Sequence, residues 1–441
     1  MNKIIKILVY VCRFLLAATF LFSGFVKAVD PLGTTYKIED YFTAFGSFFE
    51  LFVPMAFVLS LLLIGFEFVL GFNLLFGIAI KRTKWLTLLL MLFMTPLTLY
   101  IALKNPVSDC GCFGDALVLD NWQTFYKNIV LLVMTLFYVW KSDFMTPFLA
   151  APTRFLMEMF AIVSLLLLSL HCYFHLPVLD FRPYKIGTYI PEKMIIPDGA
   201  PQDEYETIFV YEKDGQQKEF LFDGVNMPDV DSTWTFVDQK SKLLKKGYEP
   251  PIHDFSIELE GVGDITKEVL EDKGYTFLLI SNKLENAVLR KSFEINRIYQ
   301  YAQENGYPFY CMNSSLEKDR EDYRDETGAE YPFATTDNIT LKTIVRSNPG
   351  LVLIKNGTVF NKWHYNDLPE FDQPLENSPL GEMKKVNNVG TILFIFFSFF
   401  VPVFVLIGLD KTIRNIYKSI KNRSRKLENE YHPARRCCFG K

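Results

Sequence analysis

Six stretches of this chain stay apolar for about as long as a helix needs to cross a bilayer, and they set its class before any motif is read. A hydrocarbon core about 30 Å thick takes roughly 20 residues of helix. The runs are Ile5 to Val26, Leu51 to Ile80, Trp85 to Leu103, Phe125 to Trp140, Phe155 to Phe174 and Val389 to Leu409, the fourth being the shortest. The first follows Lys3 and Lys6 as the core of a secretory signal would. Phe25-Val26-Lys27 stands where a small-residue cleavage site belongs, so it reads as a retained anchor. The chain also carries 46 Lys and Arg and 50 Asp and Glu, which must be segregated from these runs. Between Pro177 and Asn388 there are 37 Asp and Glu against 24 Lys and Arg, a balance of −13, so the formal total of −4 leaves +9 for the rest. An acidic domain is tied to a basic membrane portion.

Lys and Arg in short loops set the orientation. With six spans, Lys3 and Lys6, the Lys81-Arg82-Thr83-Lys84 turn, the Lys141 to Arg154 connection and the tail from Lys411 to Lys426 all fall on one side. That side is expected to be cytoplasmic in a bacterial inner membrane, with both termini inside. The first loop, Val26 to Glu50, the loop Lys104 to Thr124 and residues 177–388 then face outward. The division expected is a four-helix membrane core at 1–145, a fifth helix at 146–176, a small β subdomain at 177–246, an α/β domain at 247–375, a linker and sixth helix at 376–410, and a basic tail at 411–441.

Within the outward segment, Thr207 to Tyr211 and Glu219 to Phe222 alternate apolar and polar residues around Asp214-Gly215, which predicts an antiparallel hairpin. From Tyr248 onward the pattern alternates strand and helix: a buried strand Thr276 to Ile280, a helix Leu284 to Asn305, a strand Pro308 to Cys311, another helix, then Leu351 to Ile354, the turn Asn356-Gly357 and a last strand through Phe360. Gly247-Tyr248-Glu249-Pro250-Pro251 with Asp254-Phe255, the loop Ser347-Asn348-Pro349-Gly350 and the hairpin Ile354 to Val359 resemble the thioredoxin-like superfamily, nearest its peroxiredoxin-like and TlpA-like branch. The resemblance implies that Asn348, Pro349 and Gly350 form a cis-proline, partner-binding loop. Active members place a cysteine at the start of the helix after the first central strand, where the helix end favours a thiolate. This chain has Ser281-Asn282-Lys283-Leu284-Glu285-Asn286-Ala287 there. The fold without its thiols reads as a binding platform, and Cys311, on another strand, as a small buried core residue.

The candidate chemistry lies in the loop Asp109-Cys110-Gly111-Cys112-Phe113-Gly114-Asp115. Cys110 and Cys112 can close only a tight ring, for which Gly111 supplies backbone freedom. Three readings stay open: an exchangeable disulfide in an oxidising compartment, a static loop bridge, or half of a metal site. Asp109 and Asp115 are expected to oppose thiolate formation.

Ionisable residues inside a span are costly and face a partner or a functional cavity. Arg13 lies about 12 Å into the first helix and Glu67 about 20 Å back from the end of the second, so the two are expected to pair, with Asn73 nearby. The pair reads as a structural clamp or as a polar pocket for a proton or a quinone headgroup. Arg13, Phe22-Ser23-Gly24 with Lys27, and Glu67-x-x-x-Gly71 resemble the DoxX family, and the Cys110-Gly111-Cys112 loop resembles its MauE-type, redox-associated relatives, over about residues 5–140. That resemblance implies a four-helix membrane core linked to thiol redox chemistry, with Arg13, Gly24, Lys27 and Glu67 as shared positions. The tail cysteines Cys437 and Cys438 are weak metal candidates.

The fold class expected is thus an α-helical integral membrane protein with a thioredoxin-like α/β domain and a small antiparallel β subdomain outside. Two functions compete: redox exchange with an extracytoplasmic thiol protein, coupled to a quinone pool, or noncatalytic assembly with envelope-complex subunits. The bilayer is a partner in either case, and neither nucleic acid nor a metal is expected.

Overall fold

A computed structural model describes residues 2–431 apart from 108, 203, 214, 223–232, 246, 372–379 and 382. Cys437, Cys438 and the Asp214 of the hairpin turn lie outside the described residues. The helices of the apolar half are α1 (Lys3–Val29), α2 (Pro31–Ala44), α3 (Ser47–Glu50), α4 (Ala56–Phe76), α5 (Ile80–Lys104), α6 (Asn121–Lys141) and α7 (Ala151–Phe174). A short α8 (Ile190–Met194) follows, and α13 (Asn388–Tyr431) returns at the end of the chain. Among the described residues five helical segments are long and apolar enough to cross a membrane: Lys3–Val29, Val53–Phe76, Ile80–Lys104, Ala151–Phe174 and Asn388–Ser424. The protein is a multi-pass membrane protein. The stretch around Phe125 to Trp140 forms α6, but its first turns carry Asn121, Gln123, Lys127 and Asn128, which keep it below the apolarity of the others.

One hydrophobic core joins α1, α4, α5 and α6 through Leu16, Phe20, Leu70, Met91, Leu131 and Tyr138. Helices α1 and α4 approach most closely at two glycines. A Cβ on Gly24 would lie 2.8 Å from the backbone nitrogen of Phe68, and one on Gly71 would lie 2.6 Å from that of Leu21. This antiparallel register, 24 beside 68 and 21 beside 71, fixes which polar side chains can meet. Helix α6 starts on a capping box, the Asp120 carboxylate accepting from Gln123 N at 2.7 Å. Helix α13 is tied to α7 because Asp410 accepts from Ala150 N at 3.0 Å and from Thr153 Oγ1 at 2.7 Å, near the start of α7. It runs on as one helix through the basic tail that the sequence sets apart from the last span.

The polar half holds two sheets. In the small one, order β2-β1-β3, β1 (Glu204–Lys213) pairs antiparallel with β2 (Gln216–Phe222), Lys213 facing Gln216, and with β3 (Thr235–Lys245) on its other side. The hairpin is where the alternation places it. The large sheet contains β4 (Glu258–Leu259), β5 (Gly263–Asp264), β6 (Tyr275–Ser281), β7 (Phe309–Asn313), β8 (Phe333–Thr335), β9 (Gly350–Lys355) and β10 (Thr358–His364), in the order β10-β9-β6-β7-β8-β4-β5. Strand β6 is parallel to β7 and antiparallel to β9. The central order β10-β9-β6-β7, with a crossover helix between β6 and β7, is the thioredoxin arrangement.

Period-two alternation sorts the side chains of β6: Phe277 and Leu279 face α10 (Ser292–Glu304) and α11 (Glu317–Thr327), whereas Leu278 and Ile280 face α9 (Thr266–Glu271) and α12 (Asn338–Ile344). Each such side chain contributes about 2 kcal/mol of burial. Tyr184 and Ile190 join the second of these faces, so the segment before the small sheet, grouped with it from sequence, packs on the large sheet instead. The small sheet is an insertion whose ends meet where Tyr248 N donates to Pro201 O at 2.7 Å. The predicted helix Leu284 to Asn305 becomes two 3-10 turns followed by α10.

Candidate functional site

The α1–α4 register places Lys27 opposite Glu67. Lys27 Nζ lies 2.8 Å from both carboxylate oxygens, and the two side chains are 5% and 6% exposed, so each charge is desolvated and depends on the other. Arg13 is not the partner of Glu67. It lies beside the far end of α4, with Nη2 3.5 Å from Leu75 O and Nη1 3.8 Å from Met145 Sδ. Depth counted from helix ends misplaces the pair because the glycine contacts, not level ends, set the register. Asn73 is likewise outside this site: its amide donates to Glu158 of α7 at 2.9 Å.

Ser23, one turn before Lys27, connects the ion pair to the cysteine loop. Its hydroxyl is 2.8 Å from Glu67 Oε2 and 2.6 Å from the Cys112 carbonyl, sharing one proton between two acceptors. The loop is held from several directions. Asp109 accepts from Gly111 N and from Lys37 Nζ, both at 2.7 Å, and Tyr41 donates to the Cys110 carbonyl at 2.8 Å. Gly111 has φ +64°, a conformation that favours glycine. Phe113 packs 5.4 Å from Phe22, with Lys127 Nζ 4.4 Å above its ring.

Both cysteines are free, half-buried thiols, with their sulfurs 3.2 Å apart. The hydrogen bond from Cys110 and the positive charges of Lys127 and Lys27 outweigh burial and bring the Cys112 thiol down to about 6. Cys110 is pushed well above the ordinary thiol value by the hydrogen bond it gives and by burial. The expected opposition from Asp109 and Asp115 is offset in the structure. Lys37 and the Gly111 amide compensate Asp109, and Arg346 pairs with Asp115 at 3.2 Å.

Arg346 brings the large-sheet domain onto this loop. The side chain is buried between Asp30, at 2.9 Å, and Asp115, and Lys342 of α12 adds a contact to Glu39 of α2 at 3.6 Å. Arg346 immediately precedes Ser347-Asn348-Pro349-Gly350, whose Asn348–Pro349 bond is cis. The loop predicted from sequence is therefore at the interface, one residue beyond the side chain that docks the domain. At the position that lacks thiols, Ser281 Oγ donates to Asn348 Oδ1 at 2.6 Å and Asn348 Nδ2 donates to Lys283 O at 2.9 Å. Cys311 is fully buried in the sheet core, its thiol pushed up by desolvation. Between the two halves lies a cavity of about 290 Å³ lined by Lys27, Lys37, Asp109, Gly111, Arg182 and Arg346, among others.

Sequence reasoning does not single out Lys37, Tyr41, Lys127 or Arg346. Lys127, a cation within the first two turns of α6 and just before its apolar run, carries a usable signal. The other three sit in ordinary polar surroundings: Lys37 and Tyr41 gain their roles from the packing of α2 on the cysteine loop, and Arg346 from the docking of the large-sheet domain.

Residues 5–141 match the family of the methylamine utilisation protein MauE, so the cysteine loop lies inside the matched segment. Residues 205–246, the small sheet, match a domain of unknown function, DUF8463. Among solved structures the chain is similar to the solution structure of a protein assigned as a disulfide isomerase from Bacteroides thetaiotaomicron. The identity is 15%, over 26% of this chain and 77% of that one, with a TM-score of 0.22. No curated protein matches the chain.

Proposed function

We propose that this is a bacterial inner-membrane protein whose Cys110–Cys112 pair exchanges a disulfide with an extracytoplasmic thiol protein. With α6 as a sixth crossing beside the five more apolar segments, both termini are cytoplasmic and residues 177–388 face outward, as the clustering of Lys81, Arg82, Lys84 and Arg154 supports. The observation that carries the reading is the pair of sulfurs 3.2 Å apart on a loop held between the bundle and the outer domain.

In the oxidised form a partner thiolate attacks Cys110 Sγ. The Cys110–Cys112 bond breaks, and Cys112 leaves as a thiolate stabilised by Lys127 and Lys27. A second partner thiolate attacks the mixed disulfide, so the partner gains a disulfide and Cys110 leaves reduced. Stabilising the reduced form makes a disulfide more oxidising, which sets the direction: the partner is oxidised and the loop reduced. Restoring the loop disulfide releases two electrons and two protons. A membrane quinone, when bound, supplies an acceptor for them; Lys27, which lines the cavity beside Gly111, and Glu67 are the residues that would hold its headgroup. The thioredoxin-like domain, tied shut by Ser281 and Asn348, is a platform that presents the partner through the loop around Pro349.

In Cys112→Ala the reverse step remains open: Cys110 attacks the disulfide of the oxidised partner, one partner cysteine leaves as a thiolate, and with no Cys112 to resolve it the mixed disulfide on Cys110 is expected to accumulate in native membranes, recoverable without reductant and identified by mass spectrometry. A wild-type pair that never changes redox state across a graded thiol buffer, with no adduct in the variant, leaves the noncatalytic scaffold reading in its place.

A further inference from the structure

Helices α5 and α7 begin beside a second polar space, at the far end of the bundle from the cysteines. From it α5 runs to the cysteine loop, and α7 runs to His175, which bonds Asp367 of the large-sheet domain at 2.7 Å. This cavity, about 430 Å³, is lined by Lys81, Arg82, Lys84, Ser142, Asp143 and Arg154, among others. Four cations thus meet one carboxylate, and Asp143 is already held by Lys84 at 2.7 Å. Residues 1–13, 77–88 and 138–154, which make up this end, contain Asp143 and no other Asp or Glu. The carboxylates nearest in the adjoining helices are engaged. Glu158 accepts from Asn73 at 2.9 Å, and Asp410 accepts from Ala150 N and Thr153 Oγ1 and pairs with Arg414 at 2.8 Å. The next acidic residues, Glu428 and Glu430, stand about 27 Å or more further along α13.

Two buried polar atoms line the same space without a partner. Ser142 is 1% exposed and its Oγ makes no hydrogen bond, and Arg154 Nε is likewise buried and unbonded. A buried donor left unpaired costs more than a made hydrogen bond returns, so such atoms mark where an outside acceptor belongs. The start of α5 adds to them: Ala79 gives it no side-chain cap, and Arg82 N and Thr83 N turn back on the Ala79 carbonyl at 2.8 and 3.0 Å. The positive end of a 25-residue helix therefore borders the cavity. Arg13 stands behind one wall, with Nη1 3.8 Å from Sδ of Met145, which also lines the space. Positive charge in short loops is enough to orient a membrane protein. Orientation does not require a concave site, or a guanidinium nitrogen and a hydroxyl withdrawn from water with nothing to bond.

We infer that this cavity is a phosphate-binding site, with Arg154 and Ser142 donating to the phosphate oxygens and Lys81, Arg82 and the start of α5 supplying the surrounding charge. The bound phosphate ties the α4–α5 turn to the end of α6 and the start of α7. A phospholipid headgroup and a small soluble phosphate ester present the same chemistry. The site is independent of the cysteine exchange, and neither needs the other.

The test uses the full-length chain in nonionic detergent, weighed by native mass spectrometry. It is exposed to phosphatidylglycerol, to a diacylglycerol with the same chains and no phosphate, and to glycerol 3-phosphate. One phosphate-bearing molecule is expected to be retained, and the diacylglycerol is not. Phosphatidylglycerol that glycerol 3-phosphate cannot displace identifies a lipid headgroup as the source; glycerol 3-phosphate that binds alone and displaces the lipid identifies a soluble ester. Arg154→Gln is expected to weaken binding by roughly 10-fold or more, through loss of a charged hydrogen bond. Ser142→Ala takes away no side-chain hydrogen bond within the protein, so the fold is kept, and it should weaken binding about fivefold. Lys3→Gln removes one charge at the start of α1, off the cavity, and should leave retention unchanged. Equal retention of the two lipids with no binding of glycerol 3-phosphate, retention unchanged in both cavity variants, or a loss in Lys3→Gln equal to that in Arg154→Gln overturns the assignment.

Discussion

The chain contains two places where disulfide chemistry could be housed, and they are opposites. The large-sheet domain has the thioredoxin strand order and the cis-proline loop but carries Ser281 to Ala287 where thiols would stand. The membrane half has two thiols with their sulfurs 3.2 Å apart but nothing of that fold around them. In thioredoxin-like enzymes a helix end lowers the thiol pKa. Here the cysteines sit in a loop, and the same task falls to a hydrogen bond between them and to two lysines reaching in from α1 and α6. The comparison separates what a fold supplies from what chemistry requires. The electrostatic environment of a thiolate does not require the fold that usually supplies it.

Arg346 is the buried cation at the junction of the two regions, and its removal gives the largest expected effect. Replacing it with Met leaves Asp30 and Asp115 facing each other without their cation. Loss of one member of a buried ion pair costs about 3–5 kcal/mol, and roughly 2–4 kcal/mol is expected here because water reaches Asp115. Hydrogen exchange across Asn338–Ile344 should then rise steeply while the bundle keeps its protection. Exchange unchanged in α12 would mean that the outer domain is held elsewhere, and the two regions would no longer act as one unit.

Much of this was legible in the sequence, for physical reasons that differ by element. Span positions follow from apolarity summed over some twenty residues, which is why five segments stand out and α6, polar in its first turns, marks the borderline. The strands β6, β7 and β9 announce themselves as largely buried runs, β10 is marked by the Asn356-Gly357 turn before it, and Ser347 to Gly350 marks the turn before β9. The two-residue strands β4 and β5 carry no periodicity to detect. Of the site, the cysteines and the buried charges were visible as residue types. Their partners were not, because the pairing of Lys27 rather than Arg13 with Glu67 depends on the contacts at Gly24 and Gly71. Those glycines were the available signal for close helix approach.

A smaller effect tests whether lysines can replace a helix end. With Cys112 brought down to about 6, alkylation of the reduced protein at Cys112 should rise as pH increases through about 6, while Cys110 stays protonated and slow. Lys127→Met removes one of the charges responsible and should move the Cys112 profile up by about one pH unit, or about 1.4 kcal/mol. The sign for stability follows. A thiol depressed from the ordinary value of 9.0 adds stability that is complete above that value and lost as pH falls through about 6. Equal alkylation of the two cysteines at every pH would show that the loop does not differentiate them.

The smallest effect bears on the thiol-free position at Ser281. Ser281 is fully buried and its hydroxyl donates to Asn348, so Ser281→Ala removes one buried hydrogen bond and should destabilise the outer domain by about 1 kcal/mol. The rate at which the Cys110–Cys112 pair exchanges with a small-molecule dithiol should not change, because the Ser281 hydroxyl bonds to Asn348 and not to the cysteine loop. The two readouts keep the outcomes apart. A loss of stability with unchanged exchange fits a platform whose thiol position is now structural. A fall in exchange at unchanged stability would place the Ser281–Asn348 pair on the electron path, and the division between a chemical half and a binding half would have to be abandoned.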